Sequence, residues 1–132
     1  MSMRKKILLV DDNDDSLDLL ELYLYNQYDI VTAPNGFEAL RTAYRESPDL
    51  IITDIMMPVM DGIRFFNELR KRDGTRAIPV IAFTSFAETA TISSLRNVGF
   101  SEVMAKPFDR DIMVETVNRL LHAHQDAPPH AH

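Results

Sequence analysis

Three short runs, 7–10, 50–53 and 80–84, are almost wholly apolar, and longer stretches of helix-like periodicity lie between and after them. Runs of four or five residues with no polar alternation suit strands covered on both faces. Two further runs fit the same rhythm. The predicted strands are Lys6–Val10, Asp29–Ala33, 50–53, Val80–Thr84 and Glu102–Ala105, each followed by a helical pattern. Five βα pairs in alternation imply an α/β fold around a parallel sheet.

The helices are read from their apolar spacing and their caps. The first follows Asp12 and carries Leu17, Leu20 and Leu24; the second follows Asn35-Gly36 with Leu40, Ala43 and Tyr44. Asp61 is a natural N-cap for the third, which places Phe65, Phe66 and Leu69 on one face before the basic end Arg70-Lys71-Arg72 and Gly74. The fourth holds Thr89, Thr91, Ser93 and Ser94, poor helix formers, so packing of Ile92, Leu95 and Val98 must supply its stability. The last presents Met113, Val117, Leu120 and Leu121 as a stripe.

A chain of 132 residues has room for one core, and residues 1–122 are expected to form that domain. Residues 123–132, rich in histidine and proline, are expected to be a disordered tail, a linker stub or a cloning remnant. The absence of cysteine rules out disulfides and thiolate metal sites. A net charge of −6 with no basic stripe argues against direct nucleic-acid binding. No apolar run approaches the roughly 20 residues of a membrane span, and the first six residues lead straight into a strand, so a cytoplasmic protein is expected.

Ligands of parallel α/β sheets bind where the strands end, because the loops open a crevice there. The predicted strand ends carry Asp11-Asp12, Asp54, Thr84-Ser85 and Lys106-Pro107. Three carboxylates drawn together repel one another unless a cation shares the site. Magnesium suits such oxygen ligands, and manganese can substitute. Lys106 offers a compact positive charge and Thr84 a hydroxyl, partners for the oxygens of a phosphoryl group on Asp54. Asp54 is the natural nucleophile, since all four histidines lie at or beyond 122 and offer no competing covalent site in the core. Taken singly these residues have plainer readings: Asp12 or Asn13 as a helix N-cap, Thr84 as a structural strand end, Lys106 as a surface charge.

With Asp11-Asp12, Asp54, Thr84 and Lys106-Pro107 in this order and spacing, the chain resembles the receiver domains of two-component response regulators from about Lys5 to Leu121. The segment 54–62, reading DIMMPVMDG, is similar to that family's most specific stretch. The resemblance implies a flavodoxin-like (CheY-like), doubly wound, five-stranded sheet of order 2-1-3-4-5 with five helices. It implies a phosphoprotein of a phosphorelay rather than an enzyme acting on a separate substrate, with Asp54 accepting phosphate from a sensor histidine kinase or phosphotransfer protein. Asp12 and Asp54 would ligate magnesium, with Asp11 helping and the backbone carbonyl of Met56 completing the protein ligands. A cis Lys106-Pro107 peptide is also implied.

Phosphorylation in the family moves the threonine and an aromatic on strand five, changing the face built by the fourth helix, fifth strand and fifth helix. That face is expected to bind a downstream protein or an output domain outside this chain, or to support a phosphorylation-dependent dimer. This chain departs from the pattern at Val103, where the aromatic is expected, so transmission would rest on Thr84 and the fourth helix. It departs again at Met56 and Phe86, apolar where relatives often carry polar groups that orient water, which implies slow loss of phosphate. Two other readings stand beside this one. Asp12-Asn13-Asp14 mimics the paired aspartates of haloacid-dehalogenase-like phosphatases, in which Asp12 rather than Asp54 would be modified. A receiver-shaped module that binds partners without taking phosphate is the other.

Overall fold

The structure, a computed structural model, describes residues 4–85, 89–107 and 109–126, with 89, 90 and 123–126 as backbone only. Ile7, Leu8, Leu9 and Val10 are fully buried, as are Leu50, Ile51, Ile52, Ile81, Ala82 and Phe83. They belong to β1 (Lys6–Val10), β3 (Leu50–Asp54) and β4 (Val80–Thr84), the middle of a sheet edged by β2 (Asp29–Ala33) and β5 (Glu102–Ala105). All four pairings are parallel, as the βα alternation predicts, and the strand order is β2-β1-β3-β4-β5, as the family resemblance implies. The one strand difference is at β3, which takes in Asp54 itself.

Alternate side chains of each strand face opposite ways, and this divides the core in two. Leu8, Val10, Ile51 and Ala82 pack with Ala39, Phe65, Phe66, Leu69 and Leu95, from α2 (Gly36–Glu46), α3 (Gly62–Leu69) and α5 (Thr89–Val98). On the other face Ile7, Leu9, Ile52 and Phe83 meet Leu17, Leu20, Leu24, Met113 and Val117, from α1 (Asp14–Leu24) and α6 (Arg110–Asp126). The Tyr28 hydroxyl donates to the Asn118 side chain and ties α6 to the same layer.

The described residues form six helices, not five. The addition is α4 (Asp73–Arg76), one turn held by an Asp73–Arg76 ion pair of 2.9 Å and by the buried Thr75 hydroxyl, which donates to the Leu69 carbonyl at 2.7 Å. Gly74 lies beyond the end of α3, as the sequence predicts, and there falls inside this further helical turn. Four residues are too few for apolar periodicity to register. The face expected from the fourth helix, fifth strand and fifth helix is accordingly made of α5, β5 and α6. The last helix runs to Asp126, four residues beyond the domain end expected at 122. No helix among the described residues is long and apolar enough to cross a membrane.

Caps set where the helices begin, and so what remains available at the strand ends. Asn13, not Asp12, caps α1 by accepting the Ser16 N–H at 2.9 Å; Asn35 and Asp61 do the same for α2 and α3. Asp12 is left exposed and unused by the helix.

The loop between β3 and α3 contains a strained residue. Val59 has φ 71, and the Met60 N–H closes a three-residue turn around it by donating to the Pro58 carbonyl at 2.8 Å. A β-branched side chain is disfavoured there, whereas glycine is not. The turn also leads to the Met60 carbonyl, which accepts the Gly36 N–H at 3.1 Å and joins the loop to α2. Val59 is 75% exposed, so its removal forfeits little burial. Val59→Gly is expected to raise stability by about 1 kcal/mol, the relieved strain exceeding glycine's greater loss of chain entropy. A higher urea midpoint at unchanged slope would bear this out, and a lower one would refute it.

Candidate functional site: carboxylates and a lysine at the strand ends

Because β1, β3, β4 and β5 run in parallel, their carboxyl ends open on one edge of the sheet. Asp11 follows β1 and is 0% exposed; Asp54 ends β3 and is 7% exposed; Thr84 ends β4 and is buried. Lys106, just past β5, reaches back across the edge. Its Nζ lies 3.0 Å from Asp11 Oδ2 and 3.3 Å from Asp54 Oδ2. Its backbone N–H donates to the Thr84 carbonyl at 2.8 Å, so the lysine is anchored on β4 while its ammonium serves β1 and β3. The Lys106-Pro107 peptide is cis.

The remaining carboxylate oxygens are oriented by backbone donors. Asp11 Oδ1 accepts the Asn13 N–H at 3.0 Å, and Asp54 Oδ1 accepts the Ile55 N–H at 2.8 Å. Oxygens of Asp11, Asp12 and Asp54 all come within 4.8 Å of one another. Burial, and next the charge of Asp11, push the Asp54 carboxyl above the ordinary carboxylate range, against the opposing pull of Lys106 and the Ile55 N–H.

Three carboxylates facing one ammonium leave two negative charges in excess. A dication would balance them. The donors are all hard oxygens, and Asp12 is open to solvent, which suits a magnesium ion that keeps several waters.

The other residues singled out from the sequence lie in different settings. Met56 is 62% exposed on the β3–α3 loop, where it lines a cavity of about 360 Å³ with Ile55, Ile63, Thr84, Thr91, Ser94 and Leu95. Val103 is buried in the core, opposite Ala82 in the β4–β5 register, and is not among the residues gathered at the strand ends. Phe86 lies outside the described residues. A larger hollow of about 520 Å³ along α6, from Asp111 to His122, shares no residue with the carboxylate cluster.

Three contributors escaped the sequence reading. The Asn13 and Ile55 N–H groups are backbone donors, which leave no mark in side-chain identity. Phe83 lies under Lys106, with its ring centroid 4.8 Å from Nζ, a cation–π contact. Its place beside Thr84 at the strand end was the signal available.

Residues 7–118 match the family model described as the response regulator receiver domain. The polar-differentiation response regulator DivK of Brucella anthropi is 33% identical over 120 residues, 90% of this chain and 98% of DivK. The alkaline phosphatase synthesis transcriptional regulatory protein PhoP of Bacillus subtilis is 35% identical over 128 residues, 96% of this chain but 52% of PhoP, so the chain spans about half of that relative. Among solved structures, the receiver domain of a sensor histidine kinase from Pseudomonas aeruginosa, with a magnesium ion coordinated in its active site cleft, is similar with a TM-score of 0.82. It is 30% identical, and the match covers 89% of this chain and 98% of that one.

Proposed function

This chain belongs to the response regulator receiver family, and on that premise we propose that it is a phosphorelay switch whose phosphoacceptor is Asp54. The observation that carries the reading is the Lys106 ammonium lying between two buried carboxylates at 3.0 and 3.3 Å. The excess negative charge of the cluster suits a dication, and the ammonium suits the oxygens of a phosphoryl group.

In the proposed reaction an Asp54 carboxylate oxygen attacks the phosphorus of a phosphohistidine on a sensor kinase or phosphotransfer protein. The phosphorus–nitrogen bond breaks, the imidazole leaves, and an acyl phosphate forms. The Ile55 N–H holds Oδ1, so Oδ2, the oxygen facing Lys106, is the natural attacking atom. Lys106 then exchanges its contact with Asp54 for one phosphoryl oxygen, and the Thr84 hydroxyl serves another. Asp11, Asp12, Asp54 and the backbone carbonyl of Met56 would hold magnesium, or manganese in its place. The ion supplies neutralising charge and orients the phosphoryl oxygens.

Transmission follows from the anchor of Lys106 on β4. Movement of the Thr84 hydroxyl toward the phosphoryl group changes the packing beneath α5, and Val103 follows as an aliphatic filler rather than a swinging ring. The output is the α5–β5–α6 face, offered to a downstream protein or to an output domain outside this chain. Met56, two residues after Asp54, and Phe86, two residues after Thr84 in the sequence, are apolar where a water-orienting polar group would speed hydrolysis, and so they slow the loss of phosphate. Residues 1–122 form the receiver domain, 123–132 lie outside its working part, and the protein acts in the cytoplasm.

Intact mass after incubation with acetyl phosphate or phosphoramidate tests the reading. One phosphoryl group is expected to be gained with magnesium and none in chelator. No gain with any donor would instead favour a binding module that works without phosphate.

A further inference from the structure

Of the methionines among the described residues, Met57, Met60 and Met104 are half-buried, Met113 is fully buried, and Met56 alone is exposed, at 62%. That exposed thioether stands two residues from Asp54, on a loop whose base is closed by the Gly62 N–H donating to the Ile55 carbonyl at 2.9 Å. It borders the cavity of about 360 Å³ whose lining is of two kinds: aliphatic at Ile55, Ile63 and Leu95, hydroxyl-bearing at Thr84, Thr91 and Ser94. The aliphatic part matches a thioether. The hydroxyl part matches a group that accepts hydrogen bonds.

We propose that Met56 is an oxidation site whose sulfoxide shortens the life of a phosphoryl group on Asp54; the second half rests on the reading of Asp54 given above. A hydroperoxide supplies the oxygen. The sulfur lone pair attacks one peroxide oxygen, the O–O bond breaks, and with hydrogen peroxide water leaves; sulfur loses two electrons and the peroxide gains them. Two thiol equivalents, delivered through a methionine sulfoxide reductase, reverse the step and leave a disulfide and water.

The product differs from the thioether in the property that matters beside an acyl phosphate. A thioether is a weak acceptor and sheds water, whereas the sulfoxide oxygen is polar and binds it. The hydroxyls of Thr91 and Ser94 in the cavity lining offer that oxygen donors, so the oxidised side chain has polar partners in the cavity it borders. Water drawn there attacks phosphorus, and the bond from phosphorus to the Asp54 carboxylate oxygen breaks. Asp54 leaves as the carboxylate, while inorganic phosphate takes up the hydroxyl and a proton passes to solvent; the apolar side chain slows this step.

The full chain is treated with a limited dose of hydrogen peroxide and mapped by peptide mass, and its phosphoryl half-life is then read by intact mass. Met56 is expected to gain one oxygen about tenfold faster than Met57, Met60 or Met113. The half-life is expected to fall about threefold on oxidation. Met56→Leu keeps an apolar side chain without sulfur, and its half-life, whatever its own value, is expected to be the same before and after peroxide. Uniform oxidation of the methionines would overturn the site. An unchanged half-life with Met56 fully oxidised, or an equal fall in Met56→Leu, would overturn the lifetime effect. Absence of phosphoryl uptake before peroxide would overturn the Asp54 reading and the lifetime effect with it, while the peptide map still decides the oxidation site.

Discussion

Asp54→Asn is expected to take up no phosphoryl group under conditions that load the native chain, and yet to be the more stable protein at pH 7 in chelator. The first effect follows from replacing a carboxylate nucleophile by an amide of the same shape, which can still accept the Ile55 N–H. The second follows from the environment of the carboxylate. Burial and the neighbouring Asp11 charge raise its pKa above the ordinary 3.8, more than Lys106 and the Ile55 N–H lower it. The folded protein therefore holds this proton more tightly than the unfolded chain, and protonation favours the fold. The native protein loses that stability as pH rises from 3.8 through the raised folded value, whereas asparagine does not titrate. Lys106 has Asp11 as its nearer partner, at 3.0 Å in the native chain, so the substitution does not strip the ammonium of its ion pair.

The advantage of the variant should shrink as the pH falls through the raised folded value toward 3.8. Urea titrations in chelator at several pH values, beside intact mass with magnesium and acetyl phosphate, read both effects. Phosphoryl uptake by Asp54→Asn would refute the assignment of the nucleophile. A variant less stable than the native chain at pH 7 would refute the electrostatic account. Gain of stability with loss of uptake separates a missing nucleophile from a damaged fold.

Gly62→Ala should cost about 3 kcal/mol, while Gly74→Ala should be neutral or stabilising by up to about 1 kcal/mol. A Cβ at Gly62 would lie 2.4 Å from the carbonyl oxygen of Asp54 and 3.0 Å from Cα of Ile55. Both obstacles are backbone, in the strand end that carries Asp54, so no side-chain rotation relieves them. Helix α3 would have to back away from β3, opening the loop that holds Met56 and weakening the Gly62 N–H to Ile55 bond. At Gly74 a Cβ meets nothing within 4 Å, and alanine is the better helix former in the turn of α4. Paired urea titrations measure the contrast. Equal midpoints for the two variants would show that α3 does not depend on this close approach.

Much of the framework is written in local order. Runs such as 7–10 and 80–84 announce strands because their burial on both faces removes polar alternation, and caps such as Asn35 and Asp61 announce helices because they bond within three residues. Short or competing signals are not resolved in this way. The four-residue α4 has no room for a period, and both Asp12 and Asn13 have the chemistry to cap α1, of which the folded chain uses Asn13 to accept the Ser16 N–H. That choice matters, because it leaves Asp12 to the carboxylate cluster.

Which chemical groups stand at the strand ends is legible along the chain: carboxylates after β1 and at β3, a hydroxyl at β4 and an ammonium past β5. How they meet depends on the folded sheet. Asp11 and Lys106 are 95 residues apart, and their 3.0 Å contact exists because the parallel order β2-β1-β3-β4-β5 sets all these ends on one edge. The same order lets Asp54 share its lysine with Asp11 and buries Val103 against β4, while Met56, on the loop after β3, stays exposed. Local propensity acts over a few residues and is legible there; charge pairing, burial and exposure depend on neighbours that only the folded chain supplies.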